Sequence, residues 1–165
     1  MSGPLVLFLA ALIPLIVGAA YYNPAVFGKA WIKNSGKTEE ELRQGNMPVI
    51  FGLTYLLGLF ITGGLMPITN HQYGVLQLMV MHPDFEVVGT ATHTLYKTVM
   101  DQFGTAHRTF GHGALHGVFT AVLLALPFLG INALFERRGG KYIFLHLGYW
   151  VITLGLMGGV ICQFY

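Results

Sequence analysis

Four long apolar stretches alternate with polar ones along the chain. They run from about Pro4 to Tyr22, Pro48 to Pro67, Gly111 to Phe135 and Tyr142 to Phe164. Each is near the ~20 mostly apolar residues a helix needs to cross about 30 Å of hydrocarbon. None carries Asp, Glu, Lys or Arg inside it. The pattern predicts an all-α, polytopic membrane protein, a four-transmembrane-helix bundle forming one membrane domain over residues 1–165. Pro48 suits the first turn of a helix, where its missing N–H is not needed. Pro14 and Pro127 lie inside spans and are expected to bend them. Tyr21, Tyr22, Trp31, Tyr142, Tyr149 and Trp150 fall near the span ends, where amphipathic rings are favoured.

The loops have patterns of their own. Thr38 and Glu41 fit a capping box with Gly45 as a stop, which predicts a short surface helix near residues 39 to 44. HQYGVLQLMVMHP, residues 71 to 83, is too short to span and reads as an interfacial or re-entrant piece. Val88, Thr92, Leu95, Val99 and Phe103 recur at helical spacing and predict an amphipathic helix over 88 to 103.

Composition narrows the class further. Only 10% of residues are charged, against about a quarter in soluble domains. The net charge of +2 and the absence of a basic, aromatic-rich cluster give no footprint for nucleic acid. A single cysteine, Cys162, excludes an intrachain disulfide framework. The first span lacks the basic n-region of a signal peptide and is expected to remain as a helix. Lys29, Lys33, Lys37 and Arg43 follow span one, and Arg137, Arg138 and Lys141 follow span three, whereas the long second loop holds only Lys97 and Arg108. The positive-inside rule then makes the first and third loops cytoplasmic and puts both termini outside.

Candidate chemistry gathers at the start of span three. In FGHGALHGVF, His112 and His116 are one helical turn apart and share a face. Ionisable side chains are costly at such a place, so they are either packed and hydrogen-bonded within the bundle or part of a site. Arg108 extends that face outward, and Asp101 does so if the helix continues upward. His107 is expected on a different face. Met66, Asn70, His71, Cys162 and Gln163 fall at similar depth, so a mixed His/Cys/Met site is geometrically open. His146 lies near the opposite end of span four, roughly 15 Å or more from His116, which argues against a bis-histidine haem within one chain.

Small residues supply a second theme. Gly113 and Gly117 flank the histidines, and Gly155 and Gly159 form a small-x3-small pair suited to close helix packing, within the chain or between copies. Arg137, Arg138 and Lys141 read as a topology signal or as contacts to anionic lipid headgroups. No nucleophile elbow, P-loop, H-E-x-x-H or dinucleotide fingerprint is present.

YYNPAVFGKAWIK after span one, then RTFGHGALHGVF, LPFLGINALFERRGGKYIF, GYW and GLMGGVIC, resemble the signatures of the domain of unknown function 1761 family, small bacterial integral membrane proteins. The HQYG stretch and the long second loop resemble the version found in Bacteroidota. The resemblance covers nearly the whole chain and implies the four-helix topology. It carries no catalytic residue, because the family has no established activity.

The expectation is a non-catalytic inner-membrane protein, a structural or accessory subunit that packs with itself or with a larger envelope complex, in contact with membrane lipids and not with nucleic acid. No cofactor is assigned. The alternative is a protein that binds or transports a metal, haem, other cofactor or small ligand at an outer-leaflet site around His112 and His116, with Arg108 and Cys162.

Overall fold

The computed structural model describes residues 3–165, and no β-strand occurs among them. Four helical stretches are long and apolar enough to cross a membrane: Gly3–Tyr21, Met47–Thr69, Phe110–Phe135 and Gly140–Phe164. The chain is thus a four-span helical bundle, as the hydropathy pattern requires.

Span one comprises α1 (Gly3–Ala10) and α2 (Ile13–Tyr21), with a break at Ala11–Leu12 just before Pro14. Pro14 has no N–H to give back to the preceding turn. At the break, span two comes so close that a side chain on Gly58 would meet the Ala11 carbonyl. The loop that follows holds α3 (Gly28–Ser35) and α4 (Glu39–Arg43). α4 is the helix expected from the capping box, and both of its reciprocal bonds form. Thr38 N donates to Glu41 Oε2 at 2.8 Å, and Glu41 N donates to Thr38 Oγ1 at 3.2 Å. The Thr38 amide holds the Glu41 carboxyl below its ordinary value. α3 has no counterpart in the sequence pattern. It starts at a turn where Gly28 packs against the backbone of Tyr22 and Asn23, leaving no room for a side chain.

Span two is α5 (Met47–Thr69), N-capped by Asn46 and running through Pro67 to Thr69. The chain reverses at Asn70, whose extended backbone (φ −109°, ψ 99°) separates α5 from α6 (His71–Met79). α7 (Ala91–Phe103), N-capped by Thr90, is the expected amphipathic helix, shortened at its start. It does not continue into span three. A turn over residues 104–109, with His107 at φ 61°, intervenes. Asp101 therefore does not extend the histidine face of span three.

Span three is α8 (Phe110–Thr120), a π-helical segment (Ala121–Ala125) and α9 (Leu126–Phe135). The π segment lies just before Pro127, where the missing N–H breaks the regular ladder. Span four, α10 (Gly140–Phe164), is the most buried of the four and packs on α8, α5, α2 and α1.

The crossing of α8 with α10 is the closest in the bundle. A side chain on Gly113 would strike the Gly158 carbonyl and Cys162, and one on Gly117 would strike the Leu154 carbonyl. Lipid offers no hydrophobic drive between helices, so such backbone approach is what holds membrane helices together. Gly155 lies beside Val118, and Gly159 faces the Phe110 ring. All four glycines singled out by spacing are thus engaged within one chain, and Gly158 makes the tightest contact on the α10 side.

Candidate metal centre

Both ends of the bundle carry rings, but they are built differently. At one end, Tyr21, Tyr22, Phe27, Trp31, Tyr142, His146 and Tyr149 pack ring on ring, with centroids 4.4 to 6.1 Å apart. Their polar atoms reach conventional partners. Tyr21 Oη donates to Leu145 O and Tyr149 Oη to Pro14 O, both at 3.0 Å, and Tyr22 Oη lies 2.8 Å from His146 Nδ1. His146 Nε2 is buried without a partner. Arg138 completes this end: Nη1 donates to Ser35 O at 2.8 Å, Nε lies 3.5 Å from Glu136, and the guanidinium stands 5.5 Å over the Tyr142 ring. Of the three basic residues assigned to topology or lipid headgroups, Arg138 is thus a tether between α3 and the end of span three. The largest groove, about 790 Å³, opens between α2 and α5 at this end. It is lined mostly by apolar side chains, and no ligating cluster faces it.

At the other end, imidazoles meet imidazoles. His112 and His116, on the first two turns of α8, share one half-buried face as their spacing requires. The reversal at Asn70 brings His71, the first residue of α6, onto the same spot. His112 Nε2 lies 2.9 Å from His71 Nε2 and 3.0 Å from His116 Nε2. One nitrogen from each of the three falls within 4.8 Å of the others. His71 is exposed, and His112 and His116 are half-buried. The His107 ring packs against this group, 4.9 Å from His112 and 5.7 Å from His71 by centroids. It is therefore a neighbour of the cluster, not a residue on a remote face.

The nitrogen geometry has a chemical consequence. A neutral imidazole nitrogen offers either one N–H or one lone pair, never both. His112 Nε2 has two close nitrogen neighbours, so it cannot make a good hydrogen bond with each. If it donates to one, it presents its N–H to the other. If it accepts, two donors compete for one lone pair. A single cation resolves the conflict, because all three nitrogens can then direct lone pairs at it. Tetrahedral zinc, with Zn–N bonds of about 2.0–2.1 Å, separates its ligand nitrogens by roughly 3.3 Å. The observed short pairs are within a few tenths of an ångström of that value.

The chain belongs to a known family. It is the family described as "Protein of unknown function (DUF1761)", whose model matches residues 5–162. No curated protein and no solved structure matches the chain.

In this DUF1761 chain, Cys162 and Arg108, which the sequence reading put beside His112 and His116, have different tasks. Cys162 is fully buried, and its Sγ lies 3.3 Å from both Thr69 O and His107 O. It ties the end of α10 to the ends of α5 and of the 104–109 turn, and it stands outside the ligating group. Arg108 Nε donates to Cys162 O at 2.8 Å. Arg108 thus points at α10 rather than extending the histidine face. Gln72 fixes the remaining piece, donating from Nε2 to Phe103 O at 2.7 Å and Ala106 O at 2.9 Å. These bonds anchor the start of α6, and with it His71, against the turn that carries His107.

Proposed function

We propose that this protein is a multi-pass plasma-membrane protein of bacteria that binds one first-row transition-metal ion on its extracytoplasmic side through His71, His112 and His116. The observation that carries this reading is the convergence of three Nε2 atoms, with no hydroxyl, carbonyl or carboxylate hydrogen-bonded to them among the described residues. Three imidazoles suit zinc or copper and leave a fourth position open to water or to an incoming ligand. The side is inferred from the basic residues: Lys29, Lys33, Lys37, Arg43, Arg137, Arg138 and Lys141 cluster at the aromatic end, and the positive-inside rule assigns that end to the cytoplasm. The histidines then face outward, with both termini outside.

A role as a non-catalytic partner of a larger envelope complex remains compatible with this reading. In such a complex the long second loop is the natural contact, being the largest part outside the bilayer. Assembly through the small-residue face is less favoured, because Gly113, Gly117, Gly155 and Gly159 already pack within the chain.

Cobalt(II) titration of detergent-purified, metal-free protein tests the reading. The expected result is one ion per chain, with the visible bands of a four-coordinate nitrogen site, displaced by zinc and abolished in His71→Ala and in His112→Ala. Absence of stoichiometric binding by cobalt, zinc and copper would overturn it.

A further inference from the structure

The groove between α2 and α5 changes character along its length. Spans one and two touch where Gly58 meets the Ala11 carbonyl. Toward the aromatic end the space between them is the groove, about 790 Å³, within the ~300–1,000 Å³ of clefts that hold a ligand. Ile16 and Ala19 on α2 and Met47, Ile50 and Phe51 on α5 form its sides, with Trp31 of α3 at one end. The hydroxyls on its wall are all engaged. Thr54 Oγ1 donates to Ile50 O at 2.7 Å, Tyr149 Oη donates to Pro14 O at 3.0 Å, and Tyr22 Oη lies 2.8 Å from His146 Nδ1. A second cavity, about 480 Å³, adjoins this one, since Trp31 and Met47 line both. There the lining becomes charged, with Lys29 and Arg43 against one carboxylate, Glu39. Lys29 has no carboxylate partner among the described residues, and Arg43 meets Glu39 only at 3.8 Å, both side chains being exposed.

An apolar trough between two membrane spans, running out into a basic rim, matches one class of molecule. Hydrocarbon fills the trough without needing a hydrogen bond. A ligand with a polar ring would instead bury acceptors among hydroxyls that already have partners, which is costly. At the rim, two basic residues against one acid leave a net positive charge, which favours an anionic headgroup over a zwitterionic one. We propose that one anionic phospholipid is held here as a bound lipid, with an acyl chain between α2 and α5 and its phosphate at Lys29 and Arg43. Arg137, Arg138 and Lys141, the residues that the sequence alone offered for lipid headgroups, line neither cavity. The site lies at the opposite end of the bundle from the histidines and does not rest on the metal reading.

The test is native mass spectrometry of delipidated, metal-free, full-length protein released from detergent. The protein is titrated with phosphatidylglycerol, with phosphatidylcholine of the same acyl chains, and with glycerol 3-phosphate as a headgroup without chains. The expected result is one phosphatidylglycerol per chain, retained at least tenfold more tightly than either of the others. Ala19→Trp, which sets an indole in the groove from an exposed position, should weaken that binding at least tenfold. Lys29→Gln combined with Arg43→Gln should remove the preference, leaving phosphatidylglycerol bound no more tightly than phosphatidylcholine. Unfolding temperatures identify any variant that fails to fold, and Ile16→Trp, at another exposed position on the same wall, replaces Ala19→Trp if that one does. The proposal is overturned if phosphatidylcholine binds as tightly as phosphatidylglycerol, which would mean ordinary lipid solvation of the groove. It is equally overturned if glycerol 3-phosphate binds as tightly, if a folded groove variant keeps the lipid, or if the folded double variant keeps the preference.

Discussion

The two ends of the bundle use histidine in opposite ways. At the aromatic end, His146 is wedged between Tyr22 and Tyr142 and meets a tyrosine hydroxyl through Nδ1. Hydroxyl and imidazole are complementary, so this contact joins span one to span four, while His146 Nε2 stays buried without a partner. At the other end, His71, His112 and His116 have only one another as close nitrogen partners. His112 Nε2 is left with two nitrogens competing for one N–H or one lone pair. On the metal reading proposed above, the Tyr22-paired His146 serves the scaffold, whereas the clustered histidines serve a cation. The difference would be invisible to any argument from burial or from cavity size, since the larger groove lies at the aromatic end.

The harshest way to break the comparison is to remove the scaffold beneath the histidine end. Gly117→Val places a side chain against the Leu154 carbonyl, where backbone cannot yield. The expected cost is about 3 kcal/mol or more, read as loss of folded protein in detergent unfolding and loss of cobalt binding together. Next comes a pair of substitutions that separates the two ends. His112→Ala should weaken metal binding on the order of 100-fold or more while leaving metal-free stability close to wild type, because a ligand and not a packing contact is lost. His146→Ala should do the reverse, lowering unfolding stability by about 1 kcal/mol through the lost Tyr22 bond and leaving metal affinity unchanged. Equal effects of the two on metal affinity would erase the distinction.

Cys162 sharpens it further. Cys162→Ala removes the Sγ contacts to Thr69 O and His107 O. A modest stability loss of about 1 kcal/mol is expected, with cobalt bound in the same geometry and no sulfur-to-metal absorption in the wild type to lose. The smallest effect is remote from both ends. Glu41 has its carboxyl held below its ordinary value in the folded chain, so its contribution to α4 is present above the unfolded carboxylate pKa and is lost as pH falls through the folded one. The protection of the Thr38 amide, taken relative to its intrinsic exchange rate, should therefore fall on acidification, and Glu41→Gln, which keeps the cap, should flatten that dependence.

Much of this architecture is legible in the sequence because membrane spans and caps are local signals. Twenty apolar residues, a T-x-x-E box and a five-position helical stripe each act within one element. The pairing of His112 with His116 belongs to that class, since one helical turn fixes it. His71 does not. It reaches the pair only because the chain turns at Asn70 and Gln72 ties α6 to the end of α7 and the turn after it, contacts that span 31 and 34 residues and leave no periodic trace. The available signal was depth: His71 follows the end of one span and His112 opens the next, so both stand at the same membrane surface. Depth places Cys162 there too, and helical spacing Arg108, without revealing that the thiol binds backbone and that the guanidinium turns to α10. The α10 glycines tell a similar story. Spacing picks Gly155 and Gly159, but the crossing angle set by both helices gives the closest approach to Gly158.

The central claim is that three imidazoles, and no sulfur, hold one ion at the outer end of the bundle. X-ray absorption at the zinc edge of the loaded, full-length protein tests it most directly. The account predicts three imidazole nitrogens at about 2.0–2.1 Å with a further light-atom ligand. A sulfur neighbour at about 2.3 Å, or no stoichiometric binding of zinc, cobalt or copper, would contradict it.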